Sequence, residues 1–419
     1  MFAQEGHAQL VYRFCIPLAS FLLWQFLTKP QLKTFLAMMI MIVWQFYLTI
    51  YIGFFLILIL LCMVLIAPFF IQIENKIEIL KFWPVTLKQA WFNSNRLERV
   101  LCIPGIFLIC YLLYLLLTPY VEVTTLYGFS RSKDDIASML PRITSYFLSD
   151  NSLLWRLKGD VLSEIPMRHE HQLFPGFSIC ILILVRLLWK VKADQPGFAT
   201  INFITGWLIF LLTLNINGFS FYLFLSGLPG FNSIRAVTRI QLALMWPIAV
   251  SASFVLDALL RSSGKEFRSK LAAVLLVGFM VLESTFYGHI MFSKVDAHNR
   301  IAELRDEVEL AMVHTKGNPV IFINGKADMP WYVNELDAML VAQEVNVPTL
   351  NGYSGNTPPD TYHHWDHTCK NISQSFNDYL EVAGTYVGKE TLPTNVQIVP
   401  VRFNNCHPTW SIQDRNSLY

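Results

Sequence analysis

Charge is scarce in this sequence. Only 15% of its 419 residues are Asp, Glu, Lys or Arg, against about 25% in ordinary soluble domains. That shortage excludes a soluble protein of usual composition. The formal net charge is +2, so the totals lack the basic excess that marks a nucleic-acid partner. No Gly-rich phosphate loop, nucleophile elbow, internal repeat or low-complexity tract is present, which removes the main sequence support for nucleotide hydrolases and α/β-hydrolases. No cleavable leader is expected from these residues: MFAQEGHAQL has no basic n-region, and no A-x-A-like site follows the apolar run from Val11 to Leu27. Cysteines number seven. Cys15, Cys62, Cys102, Cys110 and Cys180 lie in apolar runs, where a thiol acts as a small hydrophobe. Cys369 and Cys406 lie in the polar tail, where a disulfide requires an oxidising compartment.

Apolar residues are abundant instead. They make up 54% of the chain, with a mean hydropathy of +0.42, and they fall in blocks near the ~20 residues that span a bilayer. Near-continuous apolarity predicts spans at roughly 11–28, 34–50, 52–71, 99–117, 174–190, 198–215, 240–260 and 270–291. The second and third come from one uncharged run, Phe35 to Ile71, divided near Gly53. The piece 219–231, interrupted by Gly227, Pro229 and Gly230, reads as interfacial or re-entrant. Lysines and arginines cluster in four loops, around residues 29–33, 76–99, 186–192 and 261–270. With eight spans all four fall on one side, the cytoplasmic one. Both termini, the loop 118–173 and the segment 216–239 then lie outside.

The tail changes character. Ile301, Leu304, Val308 and Met312 follow a helical period, PVIFIN (319–324) reads as a buried strand, 331–346 as a second amphipathic helix and NVQIVPVRF as another strand. The expected fold is therefore an α-helical polytopic membrane protein of about eight transmembrane helices over 1–291, with a C-terminal extracytoplasmic α/β domain over 292–419.

Several polar clusters sit on the outer side. RHEHQLFPG places Arg168, His169, Glu170 and His171 where the chain re-enters the bilayer. Arg168 suits a bidentate grip on phosphate and Glu170 or a histidine can move a proton; equally, these groups can sit among headgroups while Pro175 starts a helix. Two histidines do not make a metal site. Arg235 and Arg239, one helical turn apart, form either an anion cradle or a pair of snorkelling side chains. Asp134 and Asp135 offer a base or a divalent-cation ligand, although Ser132 three residues before Asp135 marks a helix start more simply. YHHWDHTC (362–369) lacks a second ligand group, and Asn371 begins an N-glycosylation sequon.

Three stretches together, HEHQLFPGF (169–177), LPGFNSIRAVTRIQL (228–242) and DAMLVAQEVNVPTLNGYSGNTPPDTY (337–362), resemble bacterial membrane proteins related to the GT-C class of glycosyltransferases. That resemblance covers about two thirds of the chain, from residue 99 onward. It implies a sugar taken from a polyprenyl-phosphate donor at the outer face and passed to a glycan or lipid acceptor. Members place a general base in an outer loop after a first span. Here Glu5 has no span before it, so an N-terminally truncated chain without its catalytic acid is expected, and no catalytic residue is carried over. Arg168, His169, His171, Arg235 and Arg239 are then the donor-phosphate groups, with Glu170, Asp134 and Asp135 as weaker catalytic candidates. No cofactor is implied beyond an open question of a divalent cation, and membrane lipids surround the protein. The competing class is a non-catalytic scaffold or transport-associated protein whose tail binds a glycan or partner through the loop bearing Asn351 and Tyr353. That loop also has ordinary turn chemistry. Transport is disfavoured because the spans carry almost no ionisable residue apart from Arg186.

Overall fold

The computed structural model describes residues 8–75, 81–128, 131–157, 162, 164–188, 196–228, 230–261, 266–288, 293–313, 315, 318–353 and 396–403. Cys369, Cys406, the Asn371 sequon and the 362–369 cluster lie outside them. The chain divides into two compact units, residues 1–121 with 130–290 and residues 122–129 with 291–419.

The first unit is helical. Its helices are α1 (Cys15–Thr28), α2 (Leu32–Leu48), α3 (Ile50–Asn75), α4 (Phe82–Asn93), α5 (Arg96–Tyr127), α6 (Lys133–Ser138), α7 (Phe177–Leu188), α8 (Pro196–Thr213), α9 (Phe221–Phe224), α10 (Gln241–Arg261) and α11 (Glu266–Thr285). Among the described residues three helical stretches are long and apolar enough to cross a membrane, Ile50–Ile71, Arg96–Leu126 and Val237–Arg261. Four more, in α1, α2, α7 and α8, are apolar but shorter.

Helix α3 is apolar on every side, and such a helix has to be enclosed. It packs against α1, α2, α8 and α10, burying Ile52, Phe55, Leu56, Ile59, Met63 and Ala67 completely. These positions recur three or four apart and form one stripe of the central core. Helix α5 does the opposite. Val100, Ile103, Phe107, Leu108, Tyr111 and Tyr114 all stay exposed, Phe107 by 71%. An apolar surface of that extent is compatible with a hydrocarbon surrounding.

The run from Phe35 to Ile71 breaks one turn earlier than its glycine suggests. Thr49, extended at φ −168, ψ 127, separates α2 from α3, while Gly53 lies inside α3. The glycine serves close approach instead: a Cβ there would stand 2.7 Å from the Phe46 ring. A second departure is α4, a helix within what reads as a basic loop. Phe82, Thr86 and Ala90 form its buried side. Ser94, at its end, accepts a hydrogen bond from Leu32 N at 2.8 Å and ties α4 to the start of α2. The 219–231 segment forms no span; α9 and a 3-10 turn (Leu225–Gly227) fold it back, and Phe231 packs on Phe54 with rings 5.2 Å apart.

The start of α1, the α2–α3 corner, the loop before α7, the segment before α10 and the end of α11 gather at one end of this unit. Gln45 Nε2 donates to Tyr12 O, and Leu153 N donates to Phe286 O. Glu283, on α11, reaches the first turn of α7, where backbone N–H groups have no helical partner. Its carboxylate accepts from Phe177 N at 2.5 Å, Ser178 N at 3.1 Å and Trp155 Nε1 at 2.8 Å. Gly176, at φ +105, has no Cβ to obstruct the Glu283 oxygens.

In the second unit α12 (Lys294–Met312), β1 (Asn318–Ile323), α13 (Trp331–Glu344) and β2 (Val396–Val401) follow the elements read from the sequence. The strands pair in parallel, Asn318 opposite Val396 through Ile323 opposite Val401. Leu304 and Val308 of α12 meet Ile321, Ile323, Ala338, Val341, Val399 and Val401 in a small core.

Glu283→Ala is expected to lower the unfolding temperature in detergent, with a loss of about 2 kcal/mol for a charged cap deprived of its acceptor. Glu283→Gln, which keeps one acceptor oxygen, is expected to lose less. Equal unfolding temperatures for wild type and Glu283→Ala contradict this role.

Candidate functional site

The loop before α7 is built from short, locally determined pieces. Ser132 caps α6: its hydroxyl oxygen accepts from Asp135 N at 3.0 Å, and the Asp135 carboxylate accepts from the Ser132 hydroxyl at 2.8 Å. Asp135 is thus engaged as the capping-box acid that its spacing suggests. Asp134, in the same turn, points its exposed carboxylate at no described partner.

Next comes a 3-10 turn, Ile143–Phe147, held by Arg142 N donating to Ser145 Oγ at 3.0 Å. Ser145 in turn meets His171, which is fully buried. Ser145 Oγ lies 2.7 Å from Nδ1, and Nε2 lies 3.0 Å from the carbonyl of Ser138. A carbonyl only accepts, so Nε2 carries the proton and Nδ1 accepts from the serine. The ring is a neutral brace between two parts of the loop. Burial lowers its pKa from the ordinary 6.5, a shift reinforced by the nearby charges of Arg142 and His169 and opposed by Ser138 O and Glu170.

Met167, in the left-handed region at φ 53, turns the chain into a 3-10 turn over Arg168–Glu170. Each charged residue of this turn then finds a counter-ion. Arg168 grips Asp150 bidentately, Nε to Oδ2 at 2.9 Å and Nη2 to Oδ1 at 2.8 Å, and donates from Nη1 to Leu162 O. Glu170, only 5% exposed, receives Arg239 in the same manner, Nη2 to Oε1 at 2.6 Å and Nε to Oε2 at 3.1 Å. The Arg239 guanidinium also lies over the Tyr51 ring, 5.4 Å from its centroid. His169 is exposed. Arg235 is half-buried; its carbonyl accepts from Val237 N at 3.0 Å, and its guanidinium has no hydrogen bond or ion pair to a described residue.

The predicted cluster therefore divides. Glu170 and Arg239 come together, which places the two turns at one end of the bundle. Arg168 and Arg239 are each matched by a carboxylate rather than converging with Arg235 on one open cavity. Sequence reading passed over Asp150, Tyr51 and Arg142. Arg142 was legible, since the argument that singled out Arg235, an arginine against the positive-inside bias, applies equally to it. Asp150 had no signal, because an 18-residue separation in a loop carries no periodicity.

Three cavities surround this network. A cleft of about 60 Å³ lies beside Glu170, Gln172, Thr238, Arg239 and Gln241. Sharing Phe174, Pro175 and Gln241 with it is an apolar groove of about 350 Å³ between α7, α8 and α10, walled by Ile183, Leu187, Phe203, Trp207 and Ile248. Three polar atoms in that groove are buried without a partner: Tyr146 Oη, Asn202 Oδ1 and Gln241 Oε1. Burial raises the pKa of the Tyr146 hydroxyl, which stays a neutral donor. The third cavity, about 530 Å³, lies on the other side of the 143–147 turn, with Ile143, Pro166 and Ile216 beside Asp134, Arg142, Thr144 and Asn217 in its wall.

In the second unit Asn351 closes the end of β1. Its Oδ1 accepts from Ile323 N at 2.7 Å and its Nδ2 donates to Ile323 O and to buried Glu335. Asn351 is thus a structural tie. Tyr353 is exposed and clusters with Trp331 and Tyr332, ring centroids 5.5 and 6.2 Å away. No group of three or more His, Cys, Asp or Glu suited to a metal ion occurs among the described residues. No family model, curated protein or solved structure matches the chain.

Removing one partner of the buried pair leaves the other charge stranded. Glu170→Ala or Arg239→Ala is expected to cost about 3–5 kcal/mol, and the double variant less than the sum of the two in a thermal-unfolding cycle. Additive losses contradict the coupling. For His171 the folded pKa lies below the unfolded one, so the unfolded chain takes up more protons. Its stabilising contribution is complete above pH 6.5 and is lost as the pH falls through the folded value. Unfolding temperature is expected to drop on acidification below that point and to drop less in His171→Gln.

Proposed function

We propose that this chain is an eight-span protein of a bacterial inner membrane that binds a lipid-linked sugar donor of the polyprenyl-phosphate type and passes the sugar to a glycan or lipid acceptor. Its second unit is then an extracytoplasmic α/β domain. The observation that carries lipid binding is the groove between α7, α8 and α10. An apolar channel fits a hydrocarbon chain, and Gln241 and Tyr146 stand among its lining residues. The transfer step rests on the sequence resemblance, and with Glu170 locked to Arg239, Asp134 is the acid left with an open carboxylate.

A second reading keeps the membrane unit but makes the protein a glycan-binding scaffold. The exposed Trp331, Tyr332 and Tyr353 cluster favours it, because sugar rings stack on such surfaces.

Gly206 lines the groove, and a Cβ there meets only Pro247 at ordinary distance, 3.8 Å. Gly206→Phe is expected to fill the channel without unfolding the protein. In nanodiscs holding a photoactivatable polyprenyl phosphate, wild type should label on α7 and α8, and Gly206→Phe should label at least about tenfold less at unchanged unfolding temperature, a loss of about 1.4 kcal/mol or more in binding. Absence of wild-type labelling, or equal labelling of both, contradicts the proposal.

A further inference from the structure

The cavity beside the 143–147 turn lies apart from the lipid groove, although Asp134 is in its wall, and it contains an arginine of a different kind from Arg168 and Arg239. Arg168 and Arg239 are each saturated by a carboxylate. The guanidinium of Arg142, half-buried in the wall of a cavity of about 530 Å³, has no hydrogen bond or ion pair to a described residue. A partly desolvated charge without a partner is unfavourable, and a guanidinium is the side chain best shaped for a bidentate anion.

The backbone holds Arg142 in place. Its N–H is bound to Ser145 Oγ, and Ser145 is braced by His171. The preceding residue, Pro141, accepts Asn215 N at 2.7 Å, joining the arginine to the turn 215–218. That turn is tight: Asn215 Oδ1 accepts Gly218 N, and Asn217 takes a left-handed φ of 51. The Asn215 side chain is occupied by the turn and by Ala137 O, whereas the Asn217 amide and the Thr144 hydroxyl have no described partner. A cationic fork, an amide and a hydroxyl thus share one wall, and the volume lies in the range of small-molecule sites, about 300–1,000 Å³.

We infer that this cavity is a second binding site, taking the phosphoryl group of a sugar phosphate on Arg142 and the sugar hydroxyls on Asn217 and Thr144. Asp134, which also lines the cavity, accepts a further hydroxyl and repels a second anionic group. The phosphoryl group can belong to a soluble sugar phosphate or to the head of a membrane lipid. The inference stands independently of the groove, because nothing in this wall faces the hydrocarbon channel except through the shared turn.

The test uses the full chain in nanodiscs of zwitterionic lipid with glucose 1-phosphate and glucose as probes, read by ligand-observed NMR. Wild type is expected to bind glucose 1-phosphate at least tenfold more tightly than glucose, and Arg142→Gln to erase that preference while unfolding at the wild-type temperature. Arg142→Lys should restore part of it, and Asp134→Asn should strengthen phosphate binding a few-fold. A lipid phosphate as the natural ligand is indicated if polyprenyl phosphate displaces glucose 1-phosphate from wild type and from Gly206→Phe alike; a soluble one if it displaces it from neither. No preference in wild type, or a preference that survives Arg142→Gln, overturns the inference. Failure of lipid labelling with phosphate preference intact overturns the groove reading alone.

Discussion

The pair between Glu170 and Arg239 fixes the end of the helical unit. Glu170 belongs to a loop that enters α7, and Arg239 precedes α10, 69 residues further on. Both are removed from bulk solvent, so neither charge is tolerable alone. The pair also places the guanidinium on Tyr51, at the corner of α2 and α3. One interaction therefore ties α3 to the segments that lead into α7 and α10.

The distribution of side chains around this point is two-sided. Along α5 the apolar residues point outward and few are buried, a pattern compatible with a hydrocarbon surrounding. At the loop end the backbone departs from helix and has to satisfy its hydrogen bonds locally, which it does through serines, carbonyls and a neutral histidine. Glu283 performs the same service for α7 by filling the vacant first-turn donors. Polar side chains at this end are first of all replacements for water.

That observation also explains what could be read beforehand. Apolar blocks located every long helix of the first unit, and the 3.6 period of Ile301, Leu304, Val308 and Met312 identified α12 with its buried face. The Ser132–Asp135 spacing announced its capping box. Such signals are local, with cause and effect within one or two turns. Helix α4 was missed because its apolar positions are interrupted by Lys88 and Gln89, which weakens the pattern that betrays a buried face. The charged cluster was located but its pairing was not. Whether an arginine holds a ligand or a carboxylate depends on residues such as Asp150 and Glu170, and nothing in the spacing of a loop says which of them will arrive.

The division among the arginines is the physical basis for separating frame from site. A guanidinium bound at both edges of its fork to one carboxylate presents little charge to anything else, since the pair is nearly neutral at a distance. Arg168 and Arg239 therefore shape the loop end without making it attractive to anions. Arg142 retains its field, and the low-dielectric wall behind it reduces screening. Burial comes first in lowering the pKa of His171, and the charge of Arg142 acts in the same direction. Ser145 stands between the two, its hydroxyl touching both the Arg142 backbone and the His171 ring.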